Sequence, residues 1–302
     1  MHLQHSFGHL AARCAAVLAA AALAAASCLA LSGCELVSQT EMESSLTPTV
    51  ESSATITSGT LTVGVNGSNT PYGGSNSSNE TIGLDVDLAA ALADELGLEL
   101  QIVDVSSNGR SALADGQVDV VLGATKSGTD DTVTYSSAYI NDGASLFCLA
   151  GNEPDSISSL DFDSSAIIVQ SDTTAATTVQ EAVGIENISA TSTMQEAFEA
   201  LVAGEQTYLV ADAVIGSYFA RNYEDVVRVD YISASAVTPM YALTLTENTE
   251  LTAAVTAAVE TVTNNGQLRV IESKWLGSEG EALLPGNTDT SSLPETAFGL
   301  WG

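Results

Sequence analysis

Histidine is nearly absent from this chain, and cysteine is scarce. The only three histidines, His2, His5 and His9, lie within the first nine of 302 residues, and there are four cysteines. A chain without histidine beyond that point has no base for a Ser-His-Asp or Cys-His site and no imidazole ligand of the kind zinc prefers. We therefore expect no catalytic residue of this type, no metal centre and no cofactor.

Basic residues are the second shortage. Lysine and arginine together number 7 against 38 acidic residues, which gives a formal net charge of −31. Binding to a nucleic-acid backbone depends on clustered Lys and Arg side chains that neutralise phosphates. The composition therefore excludes nucleic acid as a partner, while the large negative charge favours solubility.

One long apolar run lies near the start of the chain. It extends from Ala15 to Leu31, follows the basic residue Arg13, and ends in the sequence Leu-Ser-Gly-Cys at Cys34. About 18 apolar residues can also span a membrane, but a basic start and small residues before a polar stretch are typical of a cleaved secretory signal. We predict a signal peptide over residues 1–33.

The last four residues of that segment resemble the lipobox of bacterial lipoproteins, in which the cysteine is acylated and becomes the first residue of the mature protein. The resemblance implies that Cys34 carries lipid and that the exported protein is anchored on the outer face of the cell membrane. Residues 34–58 are rich in Ser, Thr and Glu without periodicity, which indicates a flexible tether.

From Gly59 the pattern alternates between short β-branched runs and stretches of helical period, twice in series. The first unit has predicted strands at Thr60–Val65, Leu98–Val103 and Val118–Leu122, with helices over 86–96 and 110–115. The second has strands at Ala166–Val169, Tyr208–Ala211 and Val226–Val229, with helices at Thr173–Val183, Met194–Val202 and Ala213–Ala220. Such alternation predicts two α/β lobes, each a mainly parallel sheet flanked by helices.

Two further β-prone runs, Gly143–Ala150 and Met240–Thr246, are interpreted as hinge strands that carry the chain between the lobes. Lobe 1 would then comprise residues 59–146 and 244–277, including two final helices, and lobe 2 residues 147–243. The remaining residues, 278–302, contain Gly, Pro, Ser and Thr with few apolar side chains, and we expect a loose C-terminal tail.

An ordered set of sequence pieces resembles the extracellular solute-binding proteins of the polar amino-acid transporter class. The pieces are GTLTVGVN at 59–66 with Pro71-Tyr72, GLDVDLAAALADELG at 83–97, ALADGQVDVV at 112–121, Tyr135-Ser136 with Tyr139, and Asn265-Gly266 through Lys274–Gly277. The resemblance implies a two-lobed periplasmic-binding-protein-like fold that binds its ligand between the lobes and delivers it to an ABC permease. We expect a monomer.

In lobe 2 the resemblance assigns Asp212 to a ligand ammonium group, and Thr173 and Thr174 to a ligand carboxylate. Asp212 is equally suited to cap the helix that begins at Ala213. The threonines lie at a helix start, where free N–H groups bind anions or are capped. Asp172 stands where the family usually has glycine, and its carboxylate could take those N–H groups and repel an anion.

In lobe 1 the loop Thr125-Lys126-Ser127 lacks the arginine with which the family grips a ligand carboxylate. Lys126 is the nearest cation and Arg110 the next. A lysine cannot reproduce the two-pronged contact of an arginine with a carboxylate. Lys126 fits an ordinary solvated surface lysine equally well. Tyr72 matches a family ring position near the pocket, or serves as a turn and core residue. Asn66, at the end of the first predicted strand, is a candidate to bind the ligand, or an ordinary turn residue. The remaining family ring positions hold Asn69 and Ser106, so aromatic contact with the ligand is reduced.

These features favour a substrate-binding lipoprotein of an ABC importer whose ligand is an amino acid or a similar small polar metabolite. One alternative is an enzyme on the same scaffold, such as a dehydratase that uses a carboxylate as acid and base. Its candidates, Asp85, Asp87 and Asp119, also fit roles as cap or sheet-edge residues. The other alternative is a surface sensor or adhesin without a transporter.

Overall fold

The computed structural model describes residues 46–160, 166–183 and 188–296. The predicted signal peptide, Cys34 and the first part of the predicted tether lie outside the described residues. Within the described ranges, no helix combines the length and hydropathy that a membrane crossing requires.

Lobe 1 contains the βαβαβ unit that the sequence predicts. Strand β1 (Thr60–Val65) pairs in parallel with β4 (Glu99–Asp104) and β5 (Val120–Ala124). Its other elements are the short strands β2 (Gly74–Ser75) and β3 (Thr81–Ile82) and the helices α1 (Leu84–Leu96) and α2 (Gly109–Ala114). The leucines of α1, spaced four residues apart, are all buried, because that spacing places them on one helix face. The helix ends at Gly97, whose φ of 65° is left-handed.

Lobe 2 repeats the parallel arrangement. Strand β7 (Ile167–Gln170) lies between β8 (Ile188–Thr191) and β9 (Tyr208–Asp212) and is parallel to both. Its other elements are α3 (Thr174–Val183), α4 (Met194–Val202), α5 (Ala213–Ala220) and β10 (Val226–Tyr231). The mixed α/β architecture with two lobes, predicted from the alternating pattern, is confirmed. Strand β8 was missing from the prediction, since four residues of mixed polarity show no clear period.

Two long antiparallel strands join the lobes. Strand β6 runs from Val133 to Leu149, and β11 from Val237 to Leu245. They pair from Val133–Leu245 to Gly143–Val237, and β6 then continues into lobe 2 by pairing Ala144–Cys148 with β9. One sheet therefore passes through both lobes in the order β4-β1-β5-β11-β6-β9-β7-β8. The first hinge strand, predicted at Gly143–Ala150, is longer than predicted, because β6 already begins at Val133.

After β11 the chain returns to lobe 1 as α6 (Thr249–Asn264) and α7 (Gln267–Leu276). Both helices contribute buried side chains to the core around α1, among them Leu251, Val255 and Leu268. The two predicted final helices of lobe 1 therefore close the core that β1 and α1 begin.

The predicted flexible tether does not extend to residue 58. Val50 and Ala54 are buried against lobe 1. The N–H of Thr49 donates to the carbonyl of Leu96 at 3.0 Å, and that of Ile56 to the carboxylate of Asp119 at 2.8 Å. This part of the prediction is wrong because two isolated apolar residues gave no periodic signal.

The tail is also packed rather than loose as far as Glu295. Residues Gly277–Leu283 form a 3-10 helix with Leu283 fully buried. Further along, the carbonyls of Pro294 and Glu295 accept the N–H groups of Ala234 and Ser235 at 2.8 and 3.0 Å. Residues after 296 are outside the described part of the chain.

Candidate ligand-binding site

A cavity of about 250 Å³ lies at the carboxyl ends of β1, β4 and β5. Five predicted site residues line it: Asn66, Tyr72, Arg110, Thr125 and Ser127. Asn66 directly follows β1 and Thr125 directly follows β5. This is where parallel α/β sheets bind ligands, because their strands and loops leave a crevice at that edge.

Arg110 lies in the first turn of α2, and its side chain lines the cavity. Its guanidinium forms an ion pair with Asp130 at 3.2 Å and donates to the hydroxyl of Tyr135. The side chains of Arg110 and Asp130 are 38% and 37% exposed. An ion pair this exposed contributes only about 0–1 kcal/mol, so a ligand carboxylate can replace Asp130 at little cost.

Lys126 is not among the residues that line the cavity. Its ammonium lies 4.5 Å from the ring centroid of Tyr241 and 5.7 Å from that of Tyr135. At this distance the ring faces attract the cation. Lys126 therefore contacts the rings of Tyr135 and Tyr241, whereas Arg110 lines the cavity.

Asn66 and Tyr72 each combine a place at the cavity with a local structural contact. Asn66 accepts the N–H of Ser68 at 3.1 Å through its side-chain oxygen, as a turn residue does. Tyr72 is only 2% exposed, and its hydroxyl donates to Asp142 at 2.8 Å. Burial and the carboxylate of Asp142 raise the pKa of Tyr72 above its usual value, so it remains a neutral donor.

Asp142, on β6, was not predicted as a site residue. Its carboxylate accepts the Tyr72 hydroxyl from lobe 1, the N–H of Gly143 at 2.8 Å, and the N–H of Val214 in α5 at 3.0 Å. Burial raises its pKa, and these donors oppose the rise. Asp142 therefore caps α5 from the hinge. The available signal was a charged residue immediately before the β-prone run Gly143–Ala150, since buried charges need partners.

Asp212 ends β9 and precedes α5, yet its side chain makes no capping hydrogen bond. The N–H that it would cap is bound by Asp142 instead. Burial, and next the charge of Asp142, raise the pKa of Asp212 to about 7. The half-buried carboxyl of Asp212 therefore plays no part in capping α5.

At the start of α3, Thr173 performs the capping role. Its hydroxyl accepts the N–H of Ala176 at 3.1 Å and donates to the carbonyl of Gln170 at 2.9 Å. Thr174 is exposed. Asp172 has a φ of 60°, a left-handed conformation that glycine adopts most readily. The N–H of Ala176 goes to Thr173 rather than to Asp172.

Asp85, in the first turn of α1, also lines the cavity; the sequence suggested it only as a carboxylate for the enzyme alternative. The hydroxyl of Tyr139 donates to its Oδ1 at 2.7 Å, and the Tyr139 oxygen accepts the N–H of Gly123 at 2.8 Å. Burial raises the pKa of Asp85 to about 7 against the opposing effect of Tyr139. The sequence showed an acidic residue at the start of a predicted helix, but it gave no sign that this residue is buried.

The other two acidic residues considered in the sequence have structural partners. Asp119 accepts the N–H groups of Ile56 and Thr62, each at 2.8 Å, and joins the N-terminal segment to β1. Asp87 accepts from Lys274 at 2.5 Å and from the indole of Trp275 at 2.6 Å, which fixes α7 on α1.

The cavity lining comes from lobe 1 and from Met240 and Leu243 of hinge strand β11. Three predicted residues, Thr173, Thr174 and Asp212, lie in lobe 2 and are not part of that lining. The structure thus brings together the lobe 1 candidates other than Lys126. The lobe 2 candidates remain a separate group.

Solved structures with a similar fold cover about three quarters of this chain. An ancestral cationic amino-acid solute-binding protein is 26% identical, with a TM-score of 0.61 over 72% of this chain and 96% of its own. A polar amino-acid ABC uptake transporter substrate-binding protein from Streptococcus thermophilus is 18% identical, with a TM-score of 0.63 over 76% and 89%. The unliganded, open L-cystine solute receptor of Neisseria gonorrhoeae is 18% identical, with a TM-score of 0.63 over 73% and 93%.

Comparison with curated proteins gives no match. The model of the bacterial extracellular solute-binding proteins, family 3, matches residues 61–278. The match starts in β1, ends just beyond α7, and includes both lobes and both hinge strands, which is well over half of the chain. The chain therefore belongs to family 3 of the bacterial extracellular solute-binding proteins.

Proposed function

We propose that this protein is the substrate-binding lipoprotein of an ABC importer and that it binds an amino acid or a similar small polar metabolite in the cleft. The observation that carries the proposal is the state of Asp212. Its half-buried carboxyl ends a lobe 2 strand, and Asp142 has taken over the capping role next to it. A ligand ammonium supplies the charge-assisted hydrogen bond that Asp212 lacks.

For the ligand carboxylate we propose Arg110 rather than Lys126. Arg110 lines the cavity and offers a planar fork of donors, which suits a carboxylate better than the point charge of a lysine. Its contact with Asp130 is an exposed ion pair, and Asp130 keeps Thr132 as a second partner. An α-amino acid would thus bind between an arginine of lobe 1 and an aspartate of lobe 2.

Such a ligand favours the state in which the lobes approach each other, because only that state lets both charged groups contact it at once. Delivery to a permease is supported by the Streptococcus thermophilus relative, which is named as part of an ABC uptake transporter. The ancestral relative is named for binding cationic amino acids. Both descriptions agree with an amino-acid ligand for this chain.

A thermal-shift screen of the protein without residues 1–33 tests the proposal against amino acids and small metabolites. A ligand at about 100 times its Kd stabilises the folded state by roughly 2.7 kcal/mol. For a fold of this size each kcal/mol raises the melting temperature by about 2–4 °C, so we expect a rise of roughly 5–10 °C. If no compound shifts the melting temperature, the receptor proposal fails.

The lipid anchor is a separate part of the proposal, based on the Leu-Ser-Gly-Cys sequence at residues 31–34. Cys34→Ala should leave the protein unprocessed or release it from the membrane, because the acyl chains that hold it would have no attachment point. Fractionation followed by immunoblotting measures this, with Cys28→Ala as the matched control. Normal cleavage and membrane retention of Cys34→Ala would contradict acylation.

One observation favours a carboxylate-based enzyme as a second candidate. Burial raises the pKa values of Asp85 and Asp212 to about 7, where a carboxyl can both accept and donate a proton. Mass spectrometry of a ligand found in the screen separates the candidates after long incubation with excess protein. Unaltered ligand is expected of a receptor, and a dehydrated product would establish the enzyme.

A further inference from the structure

Residues 284–296, which follow the last 3-10 helix, form a strap that runs from lobe 1 to lobe 2. The start of the strap is fixed to lobe 1. Leu283, directly before it, is fully buried in the cluster that includes Leu88 of α1 and Leu251 of α6. Leu284 packs against the same cluster. The strap therefore begins at a rigid point of lobe 1.

The middle of the strap is bound to hinge strand β6. The side-chain amide of Asn141 donates to the hydroxyl of Thr288 at 2.9 Å. Asn141 is only 6% exposed, and its carbonyl accepts the hydroxyl of Tyr231 from β10 at 2.8 Å. Asn141 directly precedes Asp142, which links Tyr72 of lobe 1 to α5 of lobe 2. The strap thus contacts the hinge where hydrogen bonds already connect the lobes.

The end of the strap lies on lobe 2. Leu293 packs against the buried cluster that contains Leu146 and Ile232. The carbonyls of Pro294 and Glu295 accept two backbone N–H groups of the turn between β10 and β11, at 2.8 and 3.0 Å. The strap is therefore attached at three points, which lie in lobe 1, at the hinge and in lobe 2.

This connection is not part of the sequence that the family model describes. The match to family 3 ends at residue 278, before the strap begins. The strap therefore adds a further link between the lobes to the two hinge strands β6 and β11.

The strap contacts belong to an arrangement in which the lobes lie apart. Thr173, Thr174 and Asp212 of lobe 2 are outside the cavity lining while all three attachment points are formed. Movement of lobe 2 toward lobe 1 displaces Leu293 relative to Leu283, so contacts at one end of the strap must break or rearrange. Contacts made in only one of two states stabilise that state.

We propose that the strap holds the lobes apart in the empty protein and that a ligand closes the cleft against this restraint. The inference goes beyond the proposed function and does not depend on which ligand binds. The restraint lowers the apparent affinity, because a ligand that needs the closed state binds only in proportion to the population of that state.

The distance between the lobes in the empty protein tests the proposal. Spin labels at Ser111→Cys and Gln195→Cys measure it, because each exposed residue lies in the first turn of a helix that follows the carboxyl end of a strand. These strand ends face the cleft, so the two labels come closer when the lobes approach each other. The protein without residues 1–33 is used with Cys34→Ala, and Cys148 is buried, so only the introduced cysteines are labelled.

A chain that stops after Thr288 lacks the lobe 2 end of the strap, and a chain that stops after Thr296 keeps it as the control. Double electron–electron resonance should show a population at shorter separation in the first chain and not in the second. Leu293→Ala should shift the distances in the same direction to a smaller extent, with the exposed Ser292→Ala as its control. If the truncated chain does not fold, this pair of variants decides. Distances equal to those of the unmodified protein would overturn the proposal.

Titration calorimetry with each of the twenty standard amino acids measures the effect on binding. An amino acid that binds the unmodified protein should bind the chain ending at Thr288 about tenfold more tightly, the shift expected from the loss of two ordinary backbone hydrogen bonds. Equal or weaker binding would overturn the effect of the strap on affinity. If no amino acid binds any of the proteins, the receptor proposal fails, whereas the distances between the labels still decide whether the strap holds the lobes apart.

Discussion

Asp212→Asn should remove most of the affinity for amine-bearing ligands. It should also remove the dependence of Kd on pH that comes from protonation of this one carboxyl group. Leaving a desolvated ammonium without its carboxylate costs about 2–5 kcal/mol. The matched control is Asp225→Asn, an exposed residue of the same lobe, which should bind normally. Titration calorimetry of both variants and of the unmodified protein, between pH 5 and 9, measures the effect.

The pH dependence follows from the raised pKa of Asp212, about 7 in the empty protein. An ammonium binds the ionised carboxylate, so below pH 7 the proton must leave Asp212 before the ligand binds. The Kd should therefore rise about tenfold per pH unit below 7 and level off above it, by proton linkage.

The empty protein distinguishes a ligand contact from a helix cap. The folded-state pKa of Asp212 lies above its ordinary value of 3.8. Its contribution to stability is thus fully present below about pH 4 and is lost as the pH rises toward 7. Asp212→Asn should melt at the same temperature or higher at pH 8. A variant that melts lower when empty and still binds its ligand would make Asp212 a cap, whose loss costs about 1 kcal/mol.

The two α/β lobes could be predicted from the sequence because periodicity is local. A stripe of helical period, Val86, Ala89, Ala90, Ala93 and Leu96, predicts α1, and β-branched runs predict β1 and β5, without knowledge of any distant residue. The segments before β1 and after α7 show no such periodicity, so their packing could not be predicted. Val50 and Ala54, like Leu283 in the tail, are single apolar residues that become buried only when a distant helix is in place.

The candidate site could be predicted only in part, for the same reason. Asn66, Tyr72 and Arg110 lie in segments that match the family, and they do line the cavity. Asp142 lies immediately before the β-prone run Gly143–Ala150 and gains its role from Tyr72 and Val214, each about 70 positions away. Asp85 likewise depends on Tyr139, 54 positions later. Long-range hydrogen bonds of this kind leave no pattern in a single sequence.

Glu272→Gln should stabilise the protein at neutral and alkaline pH. Glu272 lies on α7 beneath the 3-10 helix at Gly277–Leu283; it is fully buried, and neither carboxyl oxygen has a hydrogen-bond partner among the described residues. A Cβ at Gly280 would lie 3.0 Å from the Glu272 backbone, so the two segments pack closely. Burial, and next the charge of Glu281, raise the pKa of Glu272 to about 9.

The stability of the folded protein depends on pH because the carboxyl of Glu272 has different pKa values in the unfolded and folded states. In the unfolded chain it ionises near 4.5, and in the folded protein only near 9. Its contribution to stability is therefore complete below about pH 4.5 and falls by about 1.4 kcal/mol per pH unit as the pH rises toward 9. At pH 7 the loss is about 3 kcal/mol, which glutamine avoids because it does not ionise.

Thermal melts between pH 5 and 9 measure the difference, with Glu95→Gln as an exposed control on α1. Glu272→Gln should melt close to the unmodified protein at pH 5 and roughly 6–12 °C above it at pH 7, at about 2–4 °C per kcal/mol. Glutamine leaves polar atoms as unpaired as the protonated acid does, so the comparison isolates the charge. A constant offset between the two proteins at every pH would mean that Glu272 is ionised in the folded state, and that its burial does not hold the proton.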